Sequence, residues 1–186
     1  PAPLLAEFQL LSRLNHPRLV KVFECGKVQT GPKPFHGRLF FTMEALEGDN
    51  LRDLTLPNSA TELQALLADI TSQSLEGLAA IHRAGIIHRD IKSENIFLTT
   101  TGSIKLLDFG LAQTIHDIGS DRSGDSTVGS GSLGFWAPEV IRGSDFEGRT
   151  DLYSLGVTLY RLVTRRFPDP GHLIPIQTLN PLVDLR

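Results

Sequence analysis

The chain is poor in cysteine, methionine and tryptophan, with one of each among 186 residues, and aromatic residues make up only 7%. The lone thiol, Cys25, excludes an internal disulfide and suits a reducing, cytoplasmic compartment. No apolar run approaches the ~20 residues of a membrane-spanning helix. The longest apolar neighbourhood is LYSLGVTLYRLV at 152–163. Pro1 opens the chain without a basic stretch ahead of an apolar one, so no signal peptide is read here. Neither charge sign dominates: the net charge of −3 gives no electrostatic footprint for nucleic acid. The six histidines are scattered, without zinc-ligand spacing. What is present is 40% hydrophobic and 21% charged residues, enough for a packed core and against disorder.

Apolar spacing places the elements. Leu4, Phe8, Leu11 and Leu14 share one helical face, and Asn15-His16-Pro17 ends it, because proline disfavours helical geometry in the residue before it. LVKVF (19–23) and RLFFTM (38–43) read as strands joined by a Gly/Pro-rich loop. GDNLRDL then leads into a turn. Thr61 with Gln64 predicts a capping box for a long helix, with Leu63, Leu67, Ile70, Leu78 and Ile81 inward and Gly85 past its end. NIFLT and SIKLL predict a hairpin turning at Thr100-Thr101-Gly102. Residues 115–134, rich in Gly, Ser and Asp and aperiodic, read as a mobile loop. TDLYSLGVTLYRLV is apolar nearly all round and predicts a helix buried on several sides.

Three motifs occur in order: HRDIKSEN (88–95), DFG (108–110) and APE (137–139). A surface salt-bridge cluster would explain the charges of the first. It would not explain the order, the hairpin between the first two, or the Ser-rich loop between the last two. With this constellation the sequence resembles the eukaryotic-type protein kinase family, Ser/Thr branch, over nearly the whole chain. The resemblance implies an α+β, protein-kinase-like fold: a partial small lobe at 1–43, a hinge at 44–50, and a partial, mainly helical large lobe at 51–186. It also implies ATP and Mg²⁺ as cofactors and a protein substrate as partner.

The resemblance carries over residue by residue. Asp90 accepts the substrate hydroxyl's proton, and Lys92 stands by the transferring phosphate. Asn95 and Asp108 supply the oxygens that Mg²⁺ prefers. Glu7 matches the small-lobe helix acid that pairs with a nucleotide-anchoring lysine. Met43 matches the gatekeeper. Glu44 and Leu46 would offer backbone groups to adenine, Asn50 would lie near the ribose, and Leu51 with Phe97 would flank the ring. Leu11, Val22, His88 and Phe109 match an apolar stack joining the lobes, which makes His88 a core histidine. Asp151 matches a buried acid that holds the backbone around His88 and Arg89. Arg89, Ser126 and Thr127 would carry control by loop phosphate, and Ser132 would bond the catalytic Asp and Lys. Glu94 has no role assigned.

Two departures from the family pattern stand out: Ser93 where many members have proline, and Phe135 where many have tyrosine. No Gly-rich phosphate loop or lysine-bearing strand precedes the Glu7 helix, and the later large-lobe helices are not seen. The expectation is therefore a fragment cut at both ends, with little activity on its own. A pseudokinase or scaffold with a degenerate nucleotide site is the alternative. The intact Asp90, Lys92, Asn95 and Asp108 argue against it. A small-molecule kinase of related fold is a third reading, and the APE motif with its long Ser-rich loop argues against that.

Overall fold

The computed structural model describes residues 3–110, 112–114, 133–169 and 171–183. The chain order is helix α1 (Pro3–Leu11), strands β1 (Val22–Lys27), β2 (Leu39–Met43) and β3 (Gly48–Asn50), then the long helix α2 (Ala60–Arg83). Strands β4 (Ile86–Ile87), β5 (Ile96–Thr99), β6 (Ile104–Leu106) and β7 (Gln113–Thr114) follow, and then helices α3 (Pro138–Ile141), α4 (Gly148–Thr164) and α5 (Ile176–Leu179). Helices and strands mix as an α+β fold requires. No helix among the described residues is long and apolar enough to cross a membrane.

Helix α2 organises the large half. Leu63, Ile70, Leu78 and Ile81 are buried on one face, with Ser74 and Gly77 among them. Gly77 lets the helix approach β6 closely: a Cβ there would lie 2.9 Å from Leu106 Cδ1. The helix starts two residues earlier than a Thr61 cap would allow. Ser59 is the N-cap, accepting from the Glu62 amide at 3.5 Å, with Glu62 in the first turn. The cap is thus Ser59, three residues before Glu62, and Thr61 lies inside the helix.

Three further elements depart from the sequence reading. Helix α1 stops at Leu11, and a tightening turn that bonds the Leu14 amide to the Leu11 carbonyl takes up the rest of the apolar face. The first strand runs at 22–27 rather than 19–23. Leu19 and Val20 are drawn into the core instead, because the Val20 amide bonds the Leu106 carbonyl and the Leu106 amide bonds the Arg18 carbonyl. Gly48–Asn50 is a strand rather than a lead into a turn, antiparallel to β5 with Asn50 opposite Phe97. Gly48 has φ 143, and a Cβ there would sit 2.1 Å from the Leu98 carbonyl oxygen. Only glycine permits that approach.

The β5–β6 hairpin forms as its sequence predicts, with Gly102 at φ 80. Helix α4 begins earlier than its apolar run, at Gly148, where Thr150 bonds back to the Glu147 carbonyl through both amide and hydroxyl. One core cluster joins Leu11, Leu19 and Val20 to Leu51, Ile70, Leu78, Ile96, Leu106, Phe109 and Leu155. It therefore runs from the first helix to the last long one, beneath the segment 88–95.

Candidate active site

Strand β4, buried at both residues, delivers the chain to His88. From there the backbone hangs on Asp151 of α4. The Asp151 carboxylate, 1% exposed, accepts from the His88 amide at 2.9 Å, the Arg89 amide at 2.9 Å and His82 Nε2 at 2.8 Å. This anchor holds Arg89 at φ 69, a strained conformation for a non-glycine residue. His88 is fully buried, with its ring 4.6 Å from that of Phe109. Its Nε2 lies 3.1 Å from the Leu107 carbonyl, and Nδ1 lies 3.4 Å from the Asp90 amide. One neutral tautomer, protonated at Nε2, satisfies both contacts. Burial pushes its pKa down, so the ring stays uncharged and serves the stack with Phe109.

The next residues converge. Lys92 Nζ donates to Asp90 Oδ2 at 2.5 Å. Asn95 Nδ2 donates to the Asp90 carbonyl at 2.8 Å and to Oδ2 at 3.0 Å. Asp90 is 8% exposed, so this carboxylate is held from two sides in a confined setting. A short 3-10 turn, Ser93–Asn95, makes the geometry possible, and the Leu107 amide bonds the Asn95 carbonyl at 2.9 Å. That bond sets Asn95 beside the residue preceding Asp108. Asp108 is exposed at φ 57 and its Oδ1 accepts from the Gly110 amide at 3.3 Å. Asn95 spends its Nδ2 on Asp90, which leaves Oδ1 for a ligand. An amide oxygen and an exposed carboxylate are the hard donors that fit Mg²⁺.

Glu7 reaches this site across the sequence. Its Oε1 accepts from the Phe109 amide at 3.1 Å, which pins the DFG segment with Phe109 inside the core. Among the described residues no cation faces Glu7. Burial raises its pKa above the ordinary 4.5; the Phe109 bond opposes the rise and the Asp108 charge adds to it. A carboxyl raised in the folded state subtracts stability above its folded pKa, and the penalty vanishes below the unfolded value. Glu7→Gln is therefore expected to raise the melting temperature of the chain at pH 7, with the gain shrinking to nothing near pH 4. Melts across that range check it; a pH-independent difference would remove the ionisation argument.

The remaining predicted residues distribute as follows. Met43 ends β2 and is 50% exposed. Beyond it, the Glu44 carbonyl and both backbone groups of Leu46 find no partner among the described residues, whereas the Glu44 amide bonds the Lys21 carbonyl. Asn50 Oδ1 caps the turn that follows, accepting from the Arg52 and Asp53 amides. Leu51 is fully buried in the core, and Phe97 is half-buried on β5. Arg89 places its guanidinium 4.5 Å from the Phe146 ring centre, and its buried Nε has no hydrogen-bond partner. Burial lowers its pKa, against the pull of Asp151. Ser126, Thr127 and Ser132 lie outside the described residues. Glu139, the acid of the APE motif, forms no ion pair among the described residues.

Several functional contacts had no sequence signal. His82 pairs with Asp151 across the fold. Glu94 accepts from Ser93 Oγ and pairs with Arg52 at 3.5 Å, tying the segment 88–95 to the turn after β3. Lys105 pairs with Glu44 at 2.6 Å. Phe146 carries Arg89.

A family model described as protein kinase domain matches residues 2–178. The chain is 36% identical over 165 residues to serine/threonine-protein kinase PknL of Mycobacterium tuberculosis, covering 89% of this chain and 39% of that protein. It is 37% identical over 166 residues to the probable serine/threonine-protein kinase PknB of Corynebacterium glutamicum, covering 89% of this chain and 25% of that protein. PknB of Mycobacterium leprae is 34% identical over 167 residues, with 26% of its length covered. The chain thus spans between a quarter and two fifths of these curated relatives.

Proposed function

This chain belongs to the protein kinase domain family, and from that premise we propose that its parent protein transfers phosphate from ATP to Ser or Thr hydroxyls of a protein substrate. The observation that carries the reading is the Asp90 carboxylate held 2.5 Å from Lys92 Nζ and 3.0 Å from Asn95 Nδ2. Asp90 would take up the hydroxyl proton as that oxygen bonds to the γ-phosphorus and the bond from that phosphorus to the bridging oxygen breaks, releasing ADP. Lys92 keeps a positive charge beside the phosphoryl group as negative charge spreads over its oxygens. Asn95 Oδ1 and the Asp108 carboxylate would hold Mg²⁺, which when bound neutralises phosphate charge.

The adenine edge of this reading is the Glu44 carbonyl with the Leu46 backbone, in a hinge at 44–50 between a small lobe at 1–43 and a large lobe from 51. Leu51 and Phe97 would flank the adenine ring from below. Asn50 sits near the ribose, and Glu7 meets the lysine that anchors the nucleotide. Arg89, with its buried and unpartnered Nε, is suited to receive an anion from a phosphorylated loop residue, with Ser126 and Thr127 as the candidates and Ser132 serving the catalytic pair. Work on a protein hydroxyl with ATP fits a cytoplasmic location.

The test is transfer from labelled ATP by the full-length parent to a general acceptor such as myelin basic protein. The expected products are phosphoserine and phosphothreonine, with transfer abolished by EDTA and restored by added Mg²⁺. No transfer by the folded, full-length parent would favour the scaffold alternative.

A further inference from the structure

The side chain of Glu44 has a role separate from its backbone. Glu44 Oε1 accepts from Lys105 Nζ at 2.6 Å and from the Lys21 amide at 2.8 Å. The Glu44 amide returns a bond to the Lys21 carbonyl at 2.8 Å. Lys105 Nζ also reaches the Leu19 carbonyl at 3.4 Å. One ion pair therefore clamps three segments: residues 19–21, the residue following β2, and the middle of β6.

Its position on β6 matters. Ile104 and Leu106 are fully buried in the core, so Lys105 between them stands on the opposite face of the strand. There it is the cross-strand partner of Phe97. The clamp is thus built beside the surface of β5 that Phe97 presents, at the chain position where the Glu44 carbonyl and Leu46 backbone lack partners.

An exposed ion pair would carry little weight. This one is different in two respects. The side chains are only 15% and 25% exposed, which limits screening. The carboxylate is also shared with a backbone amide, so its orientation is fixed by more than one flexible side chain. Burial alone would raise the Glu44 pKa, but the bonds from Lys105 and the Lys21 amide outweigh it and hold the carboxyl below its ordinary range.

We propose that the Glu44–Lys105 pair is a positioning device for the nucleotide: it holds the Glu44–Leu46 backbone in the orientation that receives the adenine edge. Lys105 touches no substrate; it acts through Glu44. The identity of the ligand rests on the phosphoryl-transfer reading, whereas the clamping of the backbone does not.

The experiment uses the full-length parent and three variants. Lys105→Met is expected to raise KM for ATP about fivefold or more, with a smaller change in turnover. Lys105→Arg should recover most of the loss, because a guanidinium can bond the same carboxylate. Combining Lys105→Met with Glu44→Gln should be no worse than the more severe single change. In nucleotide-free protein, the Glu44 amide should exchange its hydrogen faster in Lys105→Met than in wild type. A lowered melting temperature with KM and Glu44 exchange both unchanged would overturn the proposal and leave the pair as scaffolding. If the wild-type parent transfers no phosphate, the functional reading fails, and the exchange measurement alone decides the clamp: faster exchange upholds it, unchanged exchange overturns it.

Discussion

Asp90→Asn is expected to cost the parent protein about 10²–10⁴-fold in turnover, the range in which a positioned general base contributes, while leaving the fold in place. The substitution keeps the shape and most of the bonds. The Asn95 Nδ2 contact to the Asp90 carbonyl at 2.8 Å involves only backbone at position 90. An amide oxygen can still accept the second contact, now 3.0 Å. What disappears is the negative charge and the capacity to take a proton. Lys92 loses its counter-ion, but its side chain is 21% exposed and can turn to water. The stability cost is therefore small beside the catalytic one. A transfer assay paired with a thermal melt separates the two. Turnover above a tenth of wild type would remove Asp90 from the role of base. A collapse of the melt would instead show that the Asp90–Lys92–Asn95 node holds the fold.

The parts of this site that the sequence made legible are those whose members lie close in the chain. His88 to Asn95 span one short segment, so their residue types and spacing carry the chemistry directly. The β5–β6 hairpin that carries Asn95 towards Asp108 was readable from its alternation and its Gly102 turn. The rest depends on contacts between distant positions. His82 looks like an ordinary basic residue in the last turn of a helix, and nothing nearby marks it as the partner of Asp151. Glu44 and Lys105 each sit in a locally unremarkable setting; only the packing of residues 19–21 against β6 brings them together. Gly48–Asn50 has poor strand propensity and becomes a strand because the β5 backbone is there to pair with it. The same β6 backbone claims Val20 and shifts the first strand downstream. At Gly48–Asn50 and at residues 19–23 tertiary hydrogen bonding overrode the local preference.

Asp151 joins these long-range contacts to the chemistry, and Asp151→Asn is the second large effect expected. An asparagine offers one acceptor oxygen where the carboxylate offers two. The wild-type oxygens are both in use: Oδ1 takes the Arg89 amide, and Oδ2 takes the His88 amide and His82 Nε2. Whichever way the new amide turns, its NH₂ meets a backbone N–H that is also a donor. At 1% exposure no water is at hand to relieve that clash. Breaking a buried, fully bonded charge in this way costs about 3–5 kcal/mol, which for a chain of this size lowers the melting temperature by on the order of 10 °C. A melt reduced by less than about 2 °C would show that the anchor is dispensable. Activity should fall further than unfolding explains. The bond to Asp151 is what keeps Arg89 at φ 69, and Asp90 is the next residue. Releasing that strain lets the Asp90 carboxylate drift from Lys92 and Asn95. Turnover measured well below the melting point is therefore expected to drop at least tenfold, about 1.4 kcal/mol of lost transition-state stabilisation. His82→Gln should be milder on both counts, because it removes one donor from Asp151 and leaves both backbone bonds intact. If His82→Gln proved as damaging as Asp151→Asn, the anchor would act through His82 rather than through the backbone of His88 and Arg89.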